Sequence, residues 1–321
     1  MTASDDRGLR SATDDRATDP AVEQELPDAG SVEVEEQADA AELVDDIASE
    51  TEAPGVAVQR LLIALDIDGT VLLADETLSP GVVEAIEHAQ RAGHEVMLAT
   101  GRSWDGTHEI VRSLGIAPEF VVCSNGAVVL ARKGEGPEYD RWHVETFDPT
   151  EVLTQLREHL PDAKYLVELA DGRRLYTEHL EDWNLARATH VPFEQLGAQP
   201  VCRVVVVAPE QGEQDFIDLV ERIGLHQVTY AVGWTAWLDI APQGVDKSTA
   251  LERVRNELDI EPAQVLVMGD GRNDLGMFRW ALENGGRAVA MEQGPQEVRD
   301  AAGEITTSVE AGGVAAVLRA L

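Results

Sequence analysis

The stretch Leu61-Leu62-Ile63-Ala64-Leu65-Asp66-Ile67-Asp68-Gly69-Thr70 organises the rest of the chain. Its opening apolar run has the length of a strand and no polar residue to give it an exposed face, so it reads as buried on both sides. The run stops at two aspartates spaced i, i+2, and Gly69 frees the turn that follows. A strand of this kind delivers two carboxylates to its C-terminal end, the edge of an open α/β sheet where ligands bind. Asp and Gly are also ordinary turn residues, and taken alone the stretch permits a solvated turn. The decision rests on whether the rest of a phosphate-handling site follows in order.

It does. Ser79-Pro80, then Val82, Val83, Ile86 and Ala89 at helical spacing, then Gly93, predict a helix with Ser79 as N-cap. A second apolar strand over 95–99 runs straight into Thr100-Gly101-Arg102, so a β-loop-α-β unit places two parallel strands side by side. Thr100 then sits at a strand tip like Asp66, where its hydroxyl can meet a phosphoryl oxygen and Gly101 lets the backbone approach. Arg102 either assists with an anion or faces solvent. A helix over 104–114 leads to a strand over 120–123, which ends in Ser124-Asn125-Gly126-Ala127. There the β-α alternation gives way to hairpin-like segments, marking a domain boundary.

Residues 128–242 read as an α+β insertion set as a lid over the core. Asp171-Gly172 within it is a strong hairpin signal. A lid excludes water from phosphoryl chemistry and can read the leaving group. Arg173, Arg174, Tyr176, Trp234 and Trp237 are candidates for that contact, each weighed against ordinary packing or surface roles.

Behind the insertion, Gly244-Val245-Asp246-Lys247-Ser248-Thr249 starts an amphipathic helix. A lysine in the first turn opposes the helix dipole unless an anion lies beside it, which makes Lys247 a candidate phosphate binder. A buried strand over 264–269 then ends in Asp270-Gly271-Arg272-Asn273-Asp274, an oxygen-rich cluster suited to Mg²⁺. Asp270 and Asp274 make four acids converging at one sheet edge when Asp66 and Asp68 are included, and these would repel without a cation among them. The expected organisation is an acidic tail over 1–57, core over 58–127, α+β cap over 128–242 and core again over 243–321.

The 321 residues, 44% hydrophobic, suffice for a large core. No apolar stretch approaches bilayer length and the amino terminus carries no signal-like core, so a soluble, cytoplasmic protein with no membrane partner is expected. Cys123 and Cys202 lie in or beside strand-like runs and read as buried thiols. A net charge of -35 argues against nucleic acid as a partner. Much of that charge lies before Pro54, in a segment too poor in apolar residues to offset its ordering entropy. It reads as a solubilising appendage, the alternative being a docking arm for a basic partner.

Together the strand tips supply the parts for phosphoryl transfer through an aspartyl phosphate. Asp66 attacks phosphorus, splitting one slow hydrolysis into two displacements. Mg²⁺ lets two anions approach, and Lys247 and Thr100 neutralise the equatorial oxygens. Asp68 protonates the leaving alkoxide and then activates water.

Asp66-Ile67-Asp68-Gly69-Thr70, Thr100-Gly101-Arg102, Lys247 and Gly269-Asp270-Gly271-Arg272-Asn273-Asp274 resemble the four motifs of the haloacid dehalogenase superfamily. The lid between the second and third motifs resembles that of the Cof-type sugar-phosphatase branch. The resemblance implies a Rossmann-like, doubly wound parallel core, a Mg²⁺ cofactor and hydrolysis of small phosphorylated, sugar-phosphate-like metabolites. It makes Asp66 nucleophile and metal ligand, and Asp68 acid/base and metal ligand through its carbonyl. It makes Thr100, Gly101 and Lys247 phosphate-site residues, Asn273 a phosphate-binding or loop-orienting group, Asp270 a metal ligand and Asp274 a supporting or second metal-side carboxylate. Gly271 departs from an Asn common in relatives, and Glu292-Gln293-Gly294 replaces a common Gly-Asn-Ala near the site. A phosphomutase or phosphotransferase, or a silent scaffold using its acidic tail, are the competing readings.

Overall fold

The computed structural model describes residues 59–179, 185, 187–209, 213–225, 228–232 and 237–321. Trp234 and the acidic segment before residue 59, both singled out above, lie outside the described residues.

The opening apolar run forms the strand Leu62–Leu65, at the middle of which every side chain is out of contact with water. It is the fourth strand of a five-stranded parallel sheet in the order Glu304–Thr306, Arg287–Met291, Val265–Gly269, Leu62–Leu65, Glu95–Leu98. Side chains alternate across the strand, so both faces need cover. Leu62 and Ala64 face Ala250, Leu251, Val254, Met277 and Phe278 of the helices Lys247–Glu257 and Leu275–Glu283. Ile63 and Leu65 face Ala85, Ile86, Val314 and Leu318 of the helices Val82–Arg91 and Gly313–Leu318. Helices on both faces of a parallel sheet make the doubly wound α/β fold expected from sequence.

One local expectation fails. Ser79 does not cap the helix after it: the helix Val82–Arg91 begins behind Gly81, at φ 70°, with no side-chain cap. The Ser79 hydroxyl instead donates 2.6 Å to the Val309 carbonyl, 230 residues away in sequence. A buried carbonyl at the far end of the chain takes the hydroxyl that a helix end in water would have used.

Among the described residues the strand Phe120–Cys123 pairs with the parallel sheet through the isolated bridge Ala99–Val122. It pairs antiparallel with Val128–Arg132, which pairs in turn with Tyr139–Val144, as a separate three-stranded sheet. The rest of the inserted region is a six-stranded mixed sheet in the order Val228–Val232, Trp237–Pro242, Val201–Val207, Lys164–Leu169, Arg174–Tyr176, Ala188–His190. The helices Thr150–His159 and Glu213–Ile223 cover one face of it, packing Val152, Leu156, Phe216 and Val220 on Tyr165, Val204, Val206 and Ile240. The opposite face carries Arg203, Glu168 and Asp239, all buried. Cys123 and Cys202 are free and buried, as their apolar settings predict. Among the described residues no helix is long and apolar enough to cross a membrane.

Candidate active site

Register brings the site together. The Asp66 amide donates 2.9 Å to Met268 O, and the Ala99 amide donates 2.8 Å to Leu65 O. Asp66, Thr100 and Asp270 therefore leave three adjacent strands at the same sheet edge. The loop after Asp66 folds onto Asp270: a Cβ on Gly69, whose φ is 74°, would lie 2.1 Å from Asp270 Oδ2. Only glycine allows both the left-handed backbone and that approach.

Lys247 arrives from a different element. Asp246 caps its helix, accepting the Ser248 and Thr249 amides at 2.9 and 3.2 Å, while Thr249 Oγ1 accepts the Asp246 amide at 3.2 Å. That capping box fixes the first turn. Lys247 is fully buried, and its Nζ donates 2.5 Å to Asp66 Oδ1 and 2.6 Å to Asp274 Oδ1. The anions that make a lysine sensible at this dipole end are thus two carboxylates of the chain itself. Burial alone would favour the neutral amine, but Asp274 and Asp66 outweigh it and hold the ammonium above its ordinary range. Asp274 Oδ2 accepts the Asp270 and Gly271 amides at 2.9 and 2.8 Å, so both of its oxygens are engaged.

Carboxylate oxygens of Asp66, Asp270 and Asp274 all lie within 4.8 Å of one another. Burial lifts the Asp66 carboxyl well above the usual range, with Lys247 opposing and Asp274 and Asp270 adding to the rise. Burial, then the Asp274 charge, pushes Asp270 up to about 7. Among the described residues the Asp270 carboxylate has two long contacts, 3.4 Å from Thr70 Oγ1 and 3.4 Å from Gln293 Nε2. Asp66 and Asp270, hard oxygen donors with lone pairs to spare and Asp274 beside them, fit a small divalent cation such as Mg²⁺.

The remaining predicted residues surround this cluster at different depths. Thr100 is fully buried and its Oγ1 accepts the Arg102 amide at 3.0 Å. The Asp68 side chain is 59% exposed and accepts from Arg102 Nε at 2.9 Å. Arg102 also reaches Glu76 at 3.1 Å, so the anions it meets here are two carboxylates of the chain itself. Asn273 Nδ2 donates 3.0 Å to Asn125 Oδ1, not to the carboxylate cluster. Of the lid candidates, Arg173 is a surface partner of Asp171, Arg174 is buried against Asp105 at 2.9 Å, and Tyr176 packs edge-on to His190. Trp237 is partly buried beside Leu166, Val205 and Val207.

Asn125 is the residue that sequence reasoning passed over. It adopts φ 51° at the entry to the inserted region, and a Cβ on Gly101 would lie 3.1 Å from its Oδ1. Its Nδ2 donates 3.0 Å to Asp239 Oδ2, and Asp239 is held by two 2.7 Å bonds from Arg203. A continuous polar chain therefore runs from Asn273 through Asn125 to the buried face of the six-stranded sheet. The only sequence signal was Ser-Asn-Gly itself, since Asn and Gly tolerate left-handed backbone. Beside this chain opens a cleft of about 530 Å³, lined among others by Asn125, Tyr230, Asp239, Arg272 and Asn273.

With that geometry in place, the chain can be compared with known proteins. The haloacid dehalogenase-like hydrolase family profile matches residues 63–318. The 5-amino-6-(5-phospho-D-ribitylamino)uracil phosphatase YitU of Bacillus subtilis is 28% identical over 271 residues, covering 80% of this chain and 96% of its own. The pyridoxal phosphate phosphatase YbhA of Escherichia coli is 27% identical over 271 residues, covering 74% and 90%. Among solved structures, the subclass IIB sugar phosphatase BT4131 superposes with a TM-score of 0.66 at 18% identity, covering 81% of this chain and 98% of its own, a likeness of fold.

Proposed function

The chain belongs to the haloacid dehalogenase-like hydrolases, and within that family we propose that it is a Mg²⁺-dependent phosphatase of small phosphorylated metabolites. The observation that carries this reading is Asp66, a buried carboxylate at a sheet edge with one oxygen 2.5 Å from Lys247 and the acids Asp270 and Asp274 beside it. The relatives are named as phosphatases of chemically different phosphate esters, which supports the class and leaves the individual ester open.

Asp66 attacks phosphorus, and the bond to the leaving oxygen breaks as the aspartyl phosphate forms. Lys247 shares its charge between Asp66 and the incoming phosphoryl oxygens, offsetting the repulsion between two anions. Thr100 and the Gly101 backbone line the same strand edge and bind the phosphoryl group, with Asn273 joined to that edge through Asn125. Asp68, steadied by Arg102, gives a proton to the leaving alkoxide and takes one from the water that hydrolyses the intermediate. Asp66, Asp270 and the Asp68 carbonyl would hold Mg²⁺, which when bound supplies charge neutralisation between carboxylate and phosphoryl group. Asp274, with both oxygens occupied, holds Lys247 and the 270–271 backbone in place.

The test is Asp66→Asn. Mg²⁺-dependent release of inorganic phosphate from an aryl phosphate, without an added acceptor, should be abolished while the circular dichroism spectrum is retained. Undiminished turnover in that variant would remove the nucleophile, and with it this reading.

A further inference from the structure

Gln293 lies partly buried where three loops meet. Its Nε2 donates 2.6 Å to the Gly69 carbonyl and lies 3.4 Å from Asp270 Oδ2, and its Oε1 accepts the Val309 amide at 3.0 Å. A carboxamide can do this because one planar group carries both donors and an acceptor. The Gly69 amide, on the other side of the same residue, donates 3.0 Å to Leu72 O. Both peptide groups of Gly69 are therefore tethered. Since a trans peptide is planar, anchoring the Gly69 N–H sets the direction of the Asp68 carbonyl, and anchoring the Gly69 carbonyl sets the next peptide plane. Gly69 in turn lies against the Asp270 carboxylate, with no room for a Cβ between them.

We propose that Gln293 is a positioning residue for the cation: it clamps the loop after Asp68 against Asp270, so that oxygens from the tips of the strands Leu62–Leu65 and Val265–Gly269 are spaced for one divalent ion before it binds. The inference rests on the Mg²⁺ reading above. Groups that orient metal ligands without touching the metal typically cost 10–100-fold in metal affinity when removed. Sequence alone flags position 293 only as an unusual residue in a loop; the clamp is a product of the fold.

The experiment is calorimetric titration of Mg²⁺ into the full chain at fixed pH. Gln293→Met keeps the side chain's length but has neither donor nor comparable acceptor, and its dissociation constant for Mg²⁺ should rise about tenfold or more. Ser79→Ala removes the 2.6 Å bond to Val309 O and so loosens the same 309 loop without touching Gly69 or Asp270. Its Mg²⁺ affinity should match that of the unaltered protein. Unchanged affinity in Gln293→Met, or an equal loss in Ser79→Ala, would overturn the proposal and leave the metal assignment standing. Failure of the unaltered protein to bind Mg²⁺ would overturn both.

Discussion

A buried ammonium in the first turn of a helix is costly twice over, because it loses water and faces the positive end of the dipole. Lys247 is tolerable there only through its bonds to Asp66 and Asp274. Removing it strands two buried carboxylates beside each other. Lys247→Met should therefore lower unfolding stability by about 3 kcal/mol, read from denaturant titration. It should also reduce turnover by roughly 100-fold or more, as expected when a charge-stabilising donor is lost. Stability equal to the unaltered protein would mean that the acids are held by something other than this lysine. The sequence raised Lys247 through its awkward position in the helix, but could not say which anion answers it.

At the scale of elements, the helix Lys247–Glu257 is the lever that sets the lysine, and Asp246 is its fulcrum. Asp246→Ala removes the cap and should cost about 1 kcal/mol of stability. Turnover should fall about tenfold or more, since small displacements of a reacting group are expensive; loss of stability with full turnover would separate the cap from the chemistry. The backbone of Asp246 also touches the entry to the inserted region, where a Cβ on Gly126 would lie 2.0 Å from Asp246 O. Chain entering and chain leaving thus cross beside the site. Ser79 marks the opposite case, where a strong local capping signal lost to a distant carbonyl. Capping patterns are read from neighbours in sequence, and they fail where a buried polar group elsewhere needs the same hydroxyl.

Across the whole molecule, every proposed catalytic and phosphate-binding residue falls between 66 and 274, in a chain whose acidic amino-terminal segment contributes none of them. Deleting residues 1–54 should leave turnover and melting temperature unchanged, checked with an aryl phosphate and by thermal denaturation; lost turnover would give that segment a part in the chemistry. The parallel core, the strand-tip acids Asp66 and Asp270 and the helix carrying Lys247 were legible in sequence, because apolar run length and turn residues are local properties of neighbouring positions. Tertiary structure alone decided which of these groups touch: Lys247 with Asp66 at a separation of 181 residues, Asn273 with Asn125 at 148, Gln293 with Gly69 at 224. Such contacts depend on sheet register, on the close approach permitted at Gly69 and on the crossing at Gly126, and no periodicity along a single chain encodes them.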